Sequence, residues 1–312
     1  MKGSEALSTA ACRNTRSTRR LQPPTERFRL DGPTRALDPR VHAVRRDIAD
    51  IALAGLLFAP HYAQPLPRAC AAASAMLRTA PAEDAEAVSQ LLRGERFDVL
   101  DIAGGWAWGY CVHDDYVGYV PTDSLSEPAP ADHIVTAPSA LLFSRPDIKS
   151  PVRAVWPVGA RFAGIASDAF VETEQGFIHQ RHAAPLTTIA ADPVTVAESL
   201  LGLPYLWGGR GGDGIDCSGL VQQALARTGH AAPRDTDQQR SAIGEEIAED
   251  APLRRGDLIF FPGHVGLMVD GTRLIHANAH WMAVTVEPLA DVVTRLLPNH
   301  DRPILARRRI TS

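Results

Sequence analysis

Between residues 38 and 65, the apolar residues Val41, Val44, Ile48, Ile51, Leu53, Leu56 and Leu57 recur mainly at three- and four-residue steps. That spacing predicts an amphipathic helix, stopped by Pro60. Residues 69–78 are Ala-rich and lead into a turn at Thr79-Ala80-Pro81, after which the period falls toward two. Over 105–113, Trp106, Trp108, Tyr110 and Val112 fall on one face of an extended strand, and Ala107, Gly109, Cys111 and His113 fall on the other. This predicts a half-buried strand whose aromatics pack inward. Further short strands at 96–102 and 116–120, punctuated by Ala103-Gly104-Gly105 and Asp114-Asp115, suit a small β-barrel rather than a doubly wound sheet. Beyond Pro128-Ala129-Pro130 the texture repeats, with strands at 141–143, 153–156, 162–165 and 176–179. A Gly-aromatic pair ends each stretch, Gly118-Tyr119 and Gly176-Phe177, so the two read as tandem modules.

From 191 onward helices come first and strands follow. A helix over 194–203 stops at Gly202-Leu203-Pro204, and a Gly-rich loop over 208–214 leads to a second helix. There Leu220, Val221, Ala224 and Leu225 form a buried stripe, with Gly229 as the C-terminal stop. After a polar loop come strands at 257–261, 264–270, 273–278, 283–287 and 303–309, an α+β order with an antiparallel sheet. The expected layout is a disordered leader over 1–30, an N-terminal helical segment over 31–77, small β modules over 78–127 and 132–190, and an α+β domain over 191–312.

A length of 312 residues accommodates these parts. The net charge of -4 leaves no excess of cations to track a nucleic-acid backbone. Lys2 and Lys149 are the only lysines, which removes a GxxxxGK[ST] phosphate loop and nearly all Schiff-base chemistry. Cys12, Cys70, Cys111 and Cys217 are too few and too scattered for a disulfide framework. The longest apolar run, 51–59, is far short of the ~20 residues that cross a bilayer. Residues 1–30 lack the apolar stretch of a secretory signal, so the expected setting is cytoplasmic, without a membrane partner.

Cys217 stands where a helix begins, a place where unpaired N–H groups and the helix dipole favour a thiolate. His264 opens a strand after a Pro262-Gly263 turn, and His276 lies on the next strand. A cysteine nucleophile needs a base, and the base needs a group that fixes its ring. A two-residue turn at Asp270-Gly271 would place the two histidines on opposite faces. The turn is therefore expected to hold three residues, Asp270-Gly271-Thr272, with a Gly271 bulge. That register sets Gly266 opposite His276 and His264 diagonal to it at ~7–8 Å between backbones.

Two rivals fare worse. Gly209-Arg210-Gly211-Gly212-Asp213-Gly214 matches GxGxxG literally, but no strand precedes it and no second parallel strand follows. A zinc site from Cys217, His264 and His276 lacks the short ligand spacings of such sites, so no metal and no cofactor is expected.

Residues 195–310 resemble the NlpC/P60 family of papain-like cysteine peptidases, which cleave peptidoglycan stem peptides. The resemblance rests on Pro204-Tyr205-Leu206-Trp207-Gly208-Gly209, Asp216-Cys217-Ser218-Gly219, Arg255-Gly256-Asp257-Leu258-Ile259-Phe260-Phe261, His264-Val265-Gly266 and Leu274-Ile275-His276-Ala277. It implies Cys217 as nucleophile, His264 as general base and acid, His276 as the orienting residue, and Tyr205 over the site, sharing the oxyanion with the Cys217 N–H. With two SH3-like modules ahead, the chain is similar to γ-D-glutamyl-L-diamino acid endopeptidases, in which the first module recognises the free amino terminus of L-Ala-γ-D-Glu. Glu95 and Tyr116 resemble the acidic and phenolic groups of that recognition, and Asp216, Ser218, Asp235 and Thr236 are further substrate-contact candidates. The implied partners are murein peptides; oligomeric state is open. The alternative is a non-catalytic cell-wall-binding protein, which the complete Cys/His/His set argues against.

Overall fold

The structure, a computed structural model, describes residues 37–310, so the expected leader and Cys12 lie outside the described residues. Among the described residues no helix is long and apolar enough to cross a membrane.

The first module is a seven-stranded sheet in the spatial order Ala87–Leu92, Ser74–Arg78, Val117–Pro121, Trp106–Cys111, Arg96–Ala103, Leu66–Cys70 and Leu125–Ser126. Leu66–Cys70 thus lies ahead of residue 78 and Ser74–Arg78 runs across it, so the expected boundary cuts the module in two. Ala107 and Cys111 point into its core beside Leu77, Leu91, Phe97 and Val120. Gly109 shares their side of the strand, where a Cβ would come within 2.0 Å of the Asp98 carbonyl oxygen. The small residues, not the aromatics, therefore face inward, contrary to the sequence reading.

Trp108, Tyr110 and Tyr119 instead form the outer face, and the segment before residue 66 covers it through Ala43, Ile48 and Ala63. Here the expected amphipathic helix does not exist. The segment is two short parallel strands, Ile48–Asp50 and His61–Ala63, joined through one 3₁₀ turn at Ile51–Leu53. Asp50 caps that turn through the Ala52 N–H, and Gly55 at φ +90° diverts the chain. Ile51 and Leu56, members of the supposed apolar stripe, are 49% and 54% exposed, so the helical spacing marks no buried face. Arg45 stacks on Trp108 at 4.4 Å and pairs with Asp101, which fastens the cover down.

The second module pairs a five-stranded sheet (Val152–Pro157, Ser139–Phe143, Gly176–His179, Phe170–Thr173, Ile165–Ser167) with a three-stranded one (Arg161–Phe162, His133–Val135, Ala183–Pro185). Trp156, Phe162 and Ile178 fill its core.

In the third region, a six-stranded antiparallel sheet runs Glu245–Glu246, Ala306–Arg309, Leu258–Phe261, His264–Met268, Arg273–Asn278, Ala283–Pro288. Four helices accompany it: α1 (Pro193–Glu198), α2 (Cys217–Arg227), α3 (Thr236–Ala242) and α4 (Leu289–Leu296). The expected stripe Leu220, Val221, Ala224 and Leu225 is fully buried against Leu258, Phe260, Val265, Leu267 and Ile275. On the other face Val292 of α4 packs on Ile259, Phe261, Met268 and Leu274, sandwiching the sheet. The GxGxxG run is a small antiparallel ribbon, Arg210–Gly211 paired with Gly214–Ile215.

The first module is bolted to α2. Arg210 pairs with Glu95 at 2.7 Å, donates to the Gln90 carbonyl and reaches Gln222. Gln222 in turn donates to Asp114, and Arg234 donates to Ser89.

Candidate active site

The register of the two histidine strands is the expected one, with Leu267 opposite Ile275 and Met268 opposite Leu274. The turn does hold Asp270-Gly271-Thr272, but Gly271 has no positive φ; the Asp270 carboxylate closes the turn by accepting from the N–H groups of Thr272 and Arg273. His264 Nε2 thereby meets His276 Nδ1 at 2.8 Å. His276 Nε2 meets Glu287 Oε1 at 2.7 Å, and the other oxygen of Glu287 accepts from Arg295 and Trp281. Glu287 was absent from the sequence reading. Its alternation with Thr285 on a strand after His276 was the available signal, since that places it diagonal to the imidazole on the same face.

Cys217 is the first residue of α2, and Asp216 is its N-cap, accepting from the Gly219 N–H at 2.7 Å. The backbone N–H groups of Val265, the residue after His264, and of Ser218 favour the ionised form of the Cys217 sulfur. The thiol is nevertheless pushed up to about 12, chiefly by burial and then by the Asp216 carboxylate, which outweigh the N–H donors and Arg234. Burial and the neighbouring His276 likewise hold His264 down at about 3. Burial thus works against the thiolate expected at a helix start and favours the neutral forms of the Cys217 thiol and the His264 imidazole. With His264 Nε2 and both nitrogens of His276 engaged along the chain to Glu287, the three residues do not converge on a metal.

A cleft of about 300 Å³ opens at the sulfur. Tyr205, Trp207, Cys217, Asp235 and Thr236 line it from one side, and Glu86, Val88 and Tyr116 of the first module line it from the other. Burial and the nearby Cys217 and Asp216 raise the Tyr205 phenol to about 12, keeping it a donor. The Tyr116 hydroxyl donates to Asp235 at 2.9 Å. Asp235 also caps α3 in a capping box with Gln238, so a helix stands within the expected polar loop, and Asp235-x-x-Gln238 is its signature. Arg40 bridges Asp38, Asp235 and Asp237, one guanidinium among three carboxylates.

Three substrate-contact candidates take other roles here. Glu95 is buried against Arg210 and cannot reach a ligand in the cleft; its carboxyl, opposed by burial but drawn down by that guanidinium, sits at about 2. Asp216 and Ser218 border the cleft, but Arg234 binds both, and the Asp216 carboxylate also takes the N–H groups of Gly208 and Gly219. They are scaffold. The acidic groups left at the first-module end are Glu86, Asp235 and Asp237, of which Glu86 makes no ion pair among the described residues.

A thiol at a helix start, set against a histidine strand whose imidazole leans on a second polar side chain, is the layout of a papain-like cysteine peptidase. Residues 202–295 match the NlpC/P60 family, and residues 77–125 match a bacterial dipeptidyl-peptidase SH3 domain. The chain carries an NlpC/P60 family cysteine-peptidase domain with a bacterial SH3 domain ahead of it. It is 29% identical to a gamma-D-glutamyl-L-lysine dipeptidyl-peptidase of Bacillus subtilis over 57% of this chain, a match spanning 65% of that relative. Identity to dipeptidyl-peptidase 6 of Lysinibacillus sphaericus is 27%, covering 69% of this chain and 89% of the relative. An NlpC/P60 family protein from Bacillus cereus shares the fold, at a TM-score of 0.67 and 21% identity, over 79% of this chain and all of that one.

Proposed function

We propose that the protein hydrolyses murein stem peptides between γ-D-Glu and the diamino acid, on peptides whose N-terminal L-Ala is free. The observation that carries this reading is the acidic end of the cleft. Glu86, Asp235 and Asp237 stand there with the Tyr116 hydroxyl, a set suited to an ammonium group, whose charge an N-acetylated terminus lacks. The similarity to gamma-D-glutamyl-L-lysine dipeptidyl-peptidases supports the same substrate class. A free terminus arises once the peptide has left its sugar chain, which fits recycling of released peptides in the cytoplasm.

In this reading the Cys217 sulfur attacks the γ-glutamyl carbonyl as His264 Nδ1, the ring nitrogen not held by His276, takes the thiol proton. The oxyanion is received by the Cys217 N–H and the Tyr205 hydroxyl. The C–N bond then breaks, His264 returns its proton to the departing amine, and water, deprotonated by the same nitrogen, hydrolyses the thioester.

The test is to incubate L-Ala-γ-D-Glu-diaminopimelate and its N-acetyl form with the protein and follow release of the diamino acid by mass spectrometry. The expected result is cleavage of the free peptide at least ~10-fold faster, the value of one good charge-assisted hydrogen bond. Equal rates would refute the ammonium site, and no cleavage of either would refute the substrate class.

A further inference from the structure

We propose that Glu287 is a positioning residue that selects the proton arrangement of both histidines, so that His264 Nδ1 is the bare nitrogen available to the Cys217 thiol. The inference rests on the peptidase reading of Cys217 and His264 and adds a fourth member behind them.

The argument is a count of donors and acceptors. Glu287 is ionised: burial alone would raise its carboxyl, but hydrogen bonds from Arg295, His276 and Trp281 bring it below its ordinary value. An ionised carboxylate only accepts. His276 Nε2, at 2.7 Å from Oε1, must therefore carry its hydrogen. Burial lowers the His276 pKa despite the carboxylate, so the ring is neutral and its Nδ1 is bare. That nitrogen lies 2.8 Å from His264 Nε2, which must then donate, and a neutral His264 is left with Nδ1 unprotonated. Each link allows a single arrangement, and the choice is made at Glu287. Its second oxygen is already held by Arg295 of α4 and by the Trp281 indole, so the carboxylate is fixed in place. The charged groups around the two rings are Glu287 on the neighbouring strand and Arg295 from α4; the first raises the affinity of His264 for a proton and the second lowers it.

Glu287→Gln tests the inference. With two donors facing one end of the side chain, the amide oxygen turns toward Arg295 and Trp281, and the NH₂ turns toward His276 Nε2. The chain of donors then reverses: His276 carries hydrogen on Nδ1, and His264 carries it on Nδ1, blocking the base. The expected kcat on the free stem peptide falls about 10²-fold or more with KM unchanged, and the acid limb of kcat/KM moves to lower pH because a carboxylate that favoured imidazolium is gone. Glu287→Asp, which keeps the acceptor and the charge, is expected to recover at least ~10-fold of that loss. Nitrogen-15 NMR of the histidine rings in the free full chain reads the tautomers without substrate. Wild type should show His264 Nδ1 unprotonated and Glu287→Gln should show it protonated. An unchanged tautomer, or wild-type kcat with an unmoved acid limb in Glu287→Gln, overturns the inference. If wild type cleaves no murein peptide, the functional reading fails, and the NMR comparison still decides the role of Glu287.

Discussion

Replacing Glu95 with Ala separates two roles that a carboxylate in the first module can have. In the structure this group is an interface ion, with both oxygens on Arg210 and one of them also accepting the Leu92 N–H. The Glu95 and Arg210 side chains are 4% and 5% exposed, so solvent screens the pair little. A carboxyl drawn from 4.5 to about 2 carries about 3 kcal/mol of stability. Because the folded value is depressed, that contribution is complete above pH 4.5 and is lost as pH falls toward 2. Truncation also leaves the guanidinium buried without its counter-charge, a loss of about 3–5 kcal/mol. For a chain of this size that is a fall in Tm on the order of 10 °C. Glu95→Ala with Arg210→Met should cost less than Glu95→Ala alone, since no charge is then stranded. Calorimetry on the full chain at pH 7 measures the first effect, and the free and N-acetyl peptides measure selectivity. The reasoning is refuted if Glu95→Ala melts with wild type yet cleaves both peptides equally, for Glu95 would then be the ammonium receptor.

The thiol and the recognition end give two further expectations. With the Cys217 thiol raised to about 12, thiolate is scarce at neutral pH, and inactivation by iodoacetamide should climb nearly 10-fold per pH unit between about 7 and 9. A rate already level above pH 6 would mean a preformed ion pair. Tyr116→Phe removes the hydroxyl that holds Asp235 and should raise KM for the free-amine peptide about 10-fold, leaving the acetylated peptide unaffected; equal losses on both would place Tyr116 outside recognition.

How much of this was legible in the sequence depended on the range of the interaction that decided each feature. The α2 stripe, the histidine register and the α+β order are local or nearest-strand matters, and periodicity captured them. The segment over 38–65 failed for a physical reason. Its apolar residues at three- and four-residue steps meet a pre-existing aromatic sheet face, and Trp108 and Tyr110 recruit Ala43, Ile48 and Ala63 in extended form, so tertiary contact overrode the helical spacing. The same inversion misled the reading of the aromatic strand. Alternation showed that two faces exist but not which one looks inward; the close approach at Gly109 settles that, and it depends on the partner strand.

The cleft carries the argument further. Its nucleophile, base and orienting imidazole come from motifs whose spacing is readable along the chain. Its selectivity end does not, because Tyr116 and Asp235 meet across 119 residues and Glu95 and Arg210 across 115. Glu86 and Glu95 are chemically alike and nine residues apart in one module, and only docking decides between them. Arg210 rises from the ribbon before α2 and captures Glu95, which fixes the module on the peptidase and turns the strand Ala87–Leu92 so that Glu86, at its head, borders the cleft. The buried pair is what makes the exposed carboxylate a candidate receptor. On the proposed reading, substrate selection and domain docking are therefore one structural event in this chain, and a variant that loosens the docking should blur the selection even with Cys217, His264 and His276 untouched.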